Sequence, residues 1–330
     1  MNKKNIAIVA GGDSSEYVIS LSSAKGIYSF IDKEKYNLYI VLLKKGDWHV
    51  QLNGDNETSP IDKNDFSFEI NGCRIRFDFA YITIHGTPGE NGKLQGYFDM
   101  IGLPYSCCGV LASSLTFNKF VCNNYLKNRG VLIADSLLLR KGESISNDKM
   151  VRKLELPVFI KPNDGGSSCG TSKVKTVEEI QPAIQKAFDE GEDVIIEKFM
   201  PGTEVTCGCY KIKEKSVVLP VTEVVSKNEF FDFEAKYTAS KVDEITPARI
   251  SEKLTKEIQR LTSDIYDHVN AKGIIRVDYI ISPEGIIRML EVNTNPGMTG
   301  TSFIPQQIRA AGLDIRTVMT EIIENELKNT

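Results

Sequence analysis

Residues 276–297 read RVDYIISPEGIIRMLEVNTNPG, and the fold of the chain turns on them. Two β-rich runs, residues 274–281 and 286–293, flank Ser282-Pro283-Glu284-Gly285, which predicts a hairpin with a four-residue turn. Pairing Ile281 with Ile286 sets Arg276 opposite Glu291 and Asp278 opposite Met289. Side chains alternate across a strand, so Arg276, Asp278, Glu291 and Asn293 then share one face, at the end away from the turn. Asp278 and Glu291 become diagonal neighbours, roughly 7–8 Å apart at the backbone. The other face carries Ile275, Val277, Tyr279, Ile281, Leu290 and Val292, a core face interrupted mainly by Arg288. Two carboxylates and an amide oxygen on one spot make a hard-oxygen site, suited to Mg²⁺ that also holds substrate phosphates. A solvated face whose acids pair with Arg276 fits the same hairpin. A turn one residue longer or shorter would flip the parity and disperse the cluster. The neighbouring segments decide between these.

At 330 residues the chain exceeds one typical core and predicts two or three domains. Charged residues at 25% and hydrophobics at 41% are ordinary for a soluble globular enzyme. The net charge is −4 with no long basic run, so nucleic acid is not an expected partner. The seven cysteines are odd in number and show no CxxC pair, which reads as reduced thiols in a cytosolic protein. The start passes from MNKKN into IAIVA and glycines, too short an apolar run for a signal peptide. No stretch approaches the ~18–20 apolar residues of a membrane span. The expectation is a cytoplasmic, soluble protein without a membrane partner.

Residues 6–10 are a short apolar run typical of a buried parallel strand. They open into Gly11-Gly12-Asp13-Ser14-Ser15-Glu16 and a helix with Tyr17, Val18, Leu21, Ala24, Tyr28 and Ile31 at helical spacing. A dinucleotide fingerprint needs G-x-G-x-x-G, yet after Gly11-Gly12 the next glycine is Gly26, which excludes NAD on spacing. Glu16 in the first turn suits the helix dipole as well as it suits a site. Strands over 38–43 and 79–84 continue a β-α-β pattern, the latter ending in HGTPGENG, residues 85–92. Ligands in open α/β sheets bind beyond the carboxyl ends of strands, where both loops fall. His85, one of three histidines, fits a site role and a structural loop role equally.

From Leu115 the texture changes. Asn118 can cap a helix over 119–128, stopped by Gly130. A strand then leads into Asn163-Asp164-Gly165-Gly166-Ser167-Ser168-Cys169-Gly170, a flexible run rich in small donors and apt to fold over phosphates. It is not a Walker loop. A strand over 194–196 enters EKFMPGTE, an extended link whose backbone edges could meet a base and whose Glu204 could take ribose hydroxyls; a plain hinge fits it too. A loop over 223–243, with FDFEAKYT inside it, reads as a lid. The helix over 249–270 packs Ile250, Leu254, Ile258, Leu261, Ile265 and Val269 inward. Residues 295–302 form a polar loop suited to anions, and a helix from about Asp314 ends the chain.

The ordered set GGDSSE, HGTPGENG, IKPNDGGSSCG, EKFMPGTE, FDFEAKYT, RVDYI and EVNTNPGMTGTS resembles the D-alanine–D-alanine ligases of the ATP-grasp superfamily, over residues 6–310. The fold this implies is mixed α/β: an ATP-grasp fold preceded by a parallel-sheet domain. The implied units are an N-terminal substrate-binding domain (1–115), a central small lobe with the flap (116–202), and a C-terminal lobe with the metal site and lid (203–330). The implied reaction joins two D-alanines for peptidoglycan: ATP phosphorylates one carboxylate, and the second amine attacks the acyl phosphate. Transfer to a carboxylate brings like charges together, so cations and metal must neutralise them.

By resemblance, Asp278, Glu291 and Asn293 hold Mg²⁺ or Mn²⁺, two ions. Lys119 and Lys161 hold ATP phosphates, with flap residues Ser167 and Ser168. Glu197, Lys198, Phe199, Met200 and Glu204 meet adenine and ribose. Glu16, linked to Ser167 and Tyr237, anchors the first D-alanine's ammonium, and His85 belongs to the same subsite. Arg276 and the Gly297 N–H stabilise the tetrahedral oxyanion. Ser302 and Lys236 meet the second carboxylate and the transferring phosphate. The Lys236-Tyr237 pair favours an amine acceptor over a hydroxy acid. The family also implies a homodimer. Cys169 stands in place of the usual aliphatic residue, and Asn91 where Asp is common. Two other readings remain, a ligase with a different acceptor and a nucleotide-binding regulator without turnover. The second should have lost Glu16, Arg276 or a metal ligand, and all are present.

Overall fold

The computed structural model describes residues 3–52, 57–166, 168–213, 215–226 and 242–328. The chain opens with β1 (Lys4–Gly11), α1 (Tyr17–Phe30) and β2 (Tyr36–Lys44), then β3 (Asp47–Leu52), β4 (Glu57–Pro60), β5 (Phe68–Ile70), β6 (Cys73–Ile75) and β7 (Phe79–Ile82). The first sheet runs β4-β3-β2-β1-β7, with β1 parallel to both β2 and β7. The expected β-α-β pattern therefore holds only from β1 to β2. The link from β2 to β7 is made of strands, which the short polar runs of 47–75 did not announce.

Ile6, Ile8 and Ala10 join one core and Ala7 and Val9 another, so β1 is apolar throughout because both of its faces are covered. The α1 face differs from the expected one. Ser20, Ser23, Ala24 and Ile27 are buried, while Val18 is 70% exposed. Small residues let the helix lie close on the sheet, and Ser20 Oγ accepts the Gly11 N–H at 2.9 Å.

Three helices follow: α2 (Lys93–Ile101), α3 (Val110–Phe117) and α4 (Lys119–Lys127). Asn118 caps α4 as expected, its side chain accepting Val121 N–H at 3.0 Å. The next layer holds β8 (Ser136–Arg140), α5 (Asn147–Leu154), β9 (Val158–Pro162), β10 (Ser172–Val174), α6 (Ile180–Phe188) and β11 (Asp193–Lys198). Its sheet runs β10-β9-β11-β8, so the glycine-rich flap is the tip of the β9–β10 hairpin.

The third sheet contains β12 (Thr203–Ile212), β13 (Lys215–Val218), β14 (Thr222–Ser226) and β15 (Val242–Ile245), followed by α7 (Glu252–His268), β16 (Ile274–Ile281) and β17 (Ile287–Asn293). Its order is β15-β14-β12-β16-β17, with β13 on β12. One face packs on α7 through Ile258 and Ile265. Two last helices, α8 (Phe303–Ala310) and α9 (Ile315–Lys328), close the chain; α8 was not foreseen. With α1, they share a core that joins the first sheet to the third. Among the described residues, no helix is long and apolar enough to cross a membrane.

The β16–β17 hairpin corrects the expected register. Ile281 pairs with Ile287 and Tyr279 with Met289, so the connection is one residue longer than predicted, closed by Ser282 N–H on Ile286 O at 2.9 Å. Gly285 adopts φ 81°, which glycine meets without steric cost. That shift alone would have dispersed the acid cluster. The register moves again between Asp278 and Tyr279, and beyond this bulge Asp278 faces Glu291 and Arg276 faces Asn293. Two one-residue changes add to a two-residue shift that keeps the parity, and the four polar residues return to one face. The core dictates this: Ile287, Met289 and Val292 are buried, a spacing of two then three that requires an extra residue, and Leu290 is the one displaced to half-burial. Arg288 pairs with Ile280 and does not interrupt the core face.

Candidate active site

Asp278 is the centre of the hairpin cluster and is 7% exposed. Arg276, two residues away on the same strand, donates Nε to Oδ1 and Nη2 to Oδ2, both at 2.8 Å. Thr206 Oγ1 on β12 donates to Oδ1 at 2.6 Å, and Asn293 Nδ2 to Oδ2 at 3.1 Å. Burial alone would lower the Arg276 pKa, but Asp278, with Glu291 and Glu204 behind it, raises it above the ordinary value. The guanidinium lies 5.3 Å over the Phe303 ring.

Gln307 on α8 supports this floor. It accepts Gly208 N–H at 2.9 Å and donates to Thr206 O at 3.0 Å and Thr222 Oγ1 at 3.1 Å. No sequence signal marked Gln307, because the helix that carries it was itself missed.

Among the described residues no group of three His, Cys, Asp or Glu side chains could hold a metal. The donor set on this face is instead two carboxylates, Asp278 and Glu291, with an amide. Asn293 has its nitrogen engaged by Asp278, so oxygen is the ligand atom it can offer. Three hard oxygen donors fit Mg²⁺.

Opposite stand two half-buried lysines. Lys161, on β9, places Nζ 2.6 Å from Glu197 Oε2, whose other oxygen accepts Asn123 Nδ2 at 3.0 Å. Burial works to lower the Lys161 pKa, yet Glu197 and then Glu291 hold it above the usual value. Lys119, first residue of α4, donates from Nζ to the flap carbonyl of Gly165. Its pKa is lowered, by burial first and by Lys161, against the pull of Glu291. Both ammoniums thus lie within electrostatic reach of the Glu291 carboxylate.

The link between lobes is less open than expected. Lys198 N–H donates to Asp135 O and Phe199 N–H to Pro157 O, so those two donors are engaged within the small lobe. Lys198 Nζ pairs with Glu155 at 2.6 Å, and Phe199 packs against Phe159 with ring centroids 6.0 Å apart. Met200 is half-buried beside Phe199, and Glu204, half-buried on β12, lies opposite Ile280.

On the first sheet, Glu16 precedes α1 and is 6% exposed. The flap passes directly over it: a β-carbon on Gly166 would fall 2.8 Å from Glu16 Oε2, so a larger residue there would have to push the carboxylate aside. Ser15 Oγ meets Cys169 Sγ at 3.6 Å in the same contact. His85 is buried, its Nε2 3.2 Å from Ser23 Oγ. Burial lowers its pKa, Glu16 opposes, and Arg276 adds to the lowering, which keeps the ring neutral at pH 7.

Glu90, quoted in the sequence motif but given no role, joins this group. Its Oε2 accepts Gly86 N–H at 2.7 Å, and burial, then the Glu16 charge, push its carboxyl up to about 8. Its adjacency to His85 in the loop was the available signal.

In the final loop, Thr299 N–H donates to Ser302 Oγ at 3.0 Å, and a β-carbon on Gly297 would stand 3.1 Å from the same oxygen. Ser168 is in the flap at φ 59°. Ser167, Lys236 and Tyr237 lie outside the described residues.

Comparison with known proteins places the whole chain among described relatives. The family model described as D-ala D-ala ligase N-terminus matches residues 5–108, and the one described as D-ala D-ala ligase C-terminus matches residues 125–324. The D-alanine–D-alanine ligase of Parabacteroides distasonis is 68% identical over 327 residues, covering 99% of this chain and 98% of that protein. Among solved structures, D-alanyl-alanine synthetase A of Vibrio cholerae superposes with a TM-score of 0.89 at 29% identity, over 100% of both chains. The VanG D-Ala:D-Ser ligase of Enterococcus faecalis reaches 0.86 at 29% identity, over 98% of this chain and 100% of that one.

Fold and site together define an ATP-grasp ligase, an enzyme that activates a carboxylate with ATP and delivers it to a nucleophile. Within that class the chain belongs to the D-alanine–D-alanine ligase family. It joins two D-alanines through an acyl phosphate, using ATP and Mg²⁺, in the making of peptidoglycan precursors.

Proposed function

We propose that ligation takes place where the three sheets meet, with the N-terminal unit (1–115) holding the first D-alanine, the small lobe (116–202) covering ATP, and the C-terminal lobe (203–330) carrying the metal face. Glu16 takes the ammonium of the first D-alanine, with Ser167 and Tyr237 linked to it and His85 beside it. Lys119 and Lys161 hold phosphate oxygens under the flap, Ser168 included. The segment from Glu197 to Met200 takes the base, and Glu204 the ribose.

Asp278, Glu291 and Asn293 would hold Mg²⁺, which supplies positive charge against the phosphates during transfer. Arg276, with the Gly297 N–H, faces the oxyanion that forms as the second amine attacks. The bidentate hold of Asp278 fixes that guanidinium before substrate arrives, so no reorganisation is needed at the moment of reaction. Ser302 and Lys236 receive the second carboxylate and the transferring phosphate. We infer a cytoplasmic homodimer.

The observation that carries this reading is the direct pairing of Asp278 with Glu291, across from two half-buried lysines. The test is incubation with ATP, Mg²⁺ and D-alanine, reading phosphate and dipeptide by mass spectrometry. One dipeptide per phosphate is expected, with neither formed from L-alanine or without metal. Preferred use of D-serine or D-lactate as acceptor would refute the dipeptide assignment.

A further inference from the structure

Asn163 stands two residues past Lys161, is fully buried, and has its polar groups occupied. Its N–H donates to Asp193 O at 2.8 Å and its Nδ2 to Asp164 Oδ1 at 3.0 Å. Its backbone carbonyl accepts Lys119 N–H at 3.2 Å, and its side-chain Oδ1 accepts Phe120 N–H at 2.9 Å. Those two donors belong to the first turn of α4, where a helix has no partners of its own. The third, Val121 N–H, goes to Asn118. One residue just past the end of β9 therefore satisfies two consecutive donors at the start of α4. Asn118 and Asp164 form a further backbone bridge beside it.

We propose that Asn163 is a positioning residue that fixes the start of α4, and with it Lys119, relative to Lys161. The two lysines come from different elements, α4 and β9, and need a common frame to meet the same phosphates. Asn163 supplies it from within the strand end that carries Lys161. Backbone bonds alone would leave Phe120 N–H without a partner and the helix start free to pivot about the Lys119 bond. This inference rests on the reading that Lys119 and Lys161 hold ATP phosphates.

The experiment compares the full-length enzyme with Asn163→Ala, Asn163→Asp, Lys119→Ala and the Lys119→Ala/Asn163→Ala double variant, measuring kcat and the KM of ATP and of D-alanine. Asn163→Ala should raise the KM of ATP about tenfold, the scale of removing one charge-assisted hydrogen bond, with the KM of D-alanine changed less than about twofold. Asn163→Asp keeps an acceptor for Phe120 N–H but loses the donor to Asp164 Oδ1 and sets two carboxylates side by side, so it should restore part of the ATP affinity, and more of it at low pH where the pair shares a proton. With Lys119 already removed, Asn163→Ala should add less than about twofold, because the two residues act as one unit.

An equal rise in the KM of ATP with and without Lys119 would overturn the proposal, as would parallel rises for both substrates. Lys119→Ala leaving the KM of ATP unchanged would instead sink the phosphate assignment, and that result does not involve Asn163. Should Asn163→Ala fail to fold, Asn163→Ser, too short to reach Phe120 N–H, is read by the same criteria.

Discussion

Glu90→Gln should remove a pH-dependent weakness from the fold. Glu90 accepts Gly86 N–H at the foot of the His85 loop, and burial, then Glu16, raise its carboxyl from 4.5 to about 8. Between those values the folded protein keeps a proton that the unfolded chain has lost. The native state then binds more protons than the unfolded state, so stability falls as pH rises through this window. Taken from about pH 5.5 to about pH 7.5, the linkage relation gives a loss of about 2–3 kcal/mol from this single group. Glutamine has nearly the same shape, can still accept the Gly86 N–H, and does not titrate. Urea unfolding of ligand-free wild type and Glu90→Gln at the two pH values reads the effect directly. The stability advantage of the variant should grow by about 2–3 kcal/mol between them. An advantage constant within ~0.5 kcal/mol would show that Glu90 titrates normally in the fold and would refute the reasoning.

Glu291→Gln removes a charge from the metal face and should cut turnover about 100-fold or more while unfolding stays cooperative; near-normal kcat at saturating ATP would contradict the ligand assignment. Thr206→Val keeps shape but takes a donor from the buried Asp278 carboxylate, and should cost about 1.5–3 kcal/mol in chemical denaturation. Gly26→Ala would gain ~1 kcal/mol in an exposed helix, yet here the new β-carbon would fall 2.1 Å from Met298 O, so the variant should lose about 2 kcal/mol net by thermal unfolding.

Motifs that put many chemical groups into few residues were legible from sequence. The Asn118 cap and the α7 stripe follow from local pattern, and the structure has them. What sequence could not reach were features decided by distant partners. The exposed Val18 and buried Ser23 of α1 invert the usual hydrophobic reading because the helix lies close against another unit. Glu197 points its carboxylate at Lys161, a partner 36 residues upstream that no local pattern reveals. Lys198 and Phe199 give their N–H groups to Asp135 and Pro157, far upstream in the chain, a pairing that no local pattern encodes.

The hairpin shows most clearly how a site is set by packing that faces away from it. Neither carboxylate selects the register. Ile287 and Met289 reach the core at the turn end and Val292 at the far end, and their uneven spacing can be met only by expelling Leu290. The bulge required by the core brings Glu291 directly opposite Asp278, closer than the diagonal relation a regular hairpin would have given. The joint between units follows the same logic. Ser23 on α1 contacts His85 Nε2 at 3.2 Å and also accepts Met298 N–H at 3.5 Å, while Asn295 Nδ2 donates to Ile84 O at 2.8 Å. The loop that carries Gly297 is thus tied, on both sides, to the strand end that carries His85. The spacing between the loop that carries His85 and the loop that carries Gly297 is therefore set by buried hydrogen bonds.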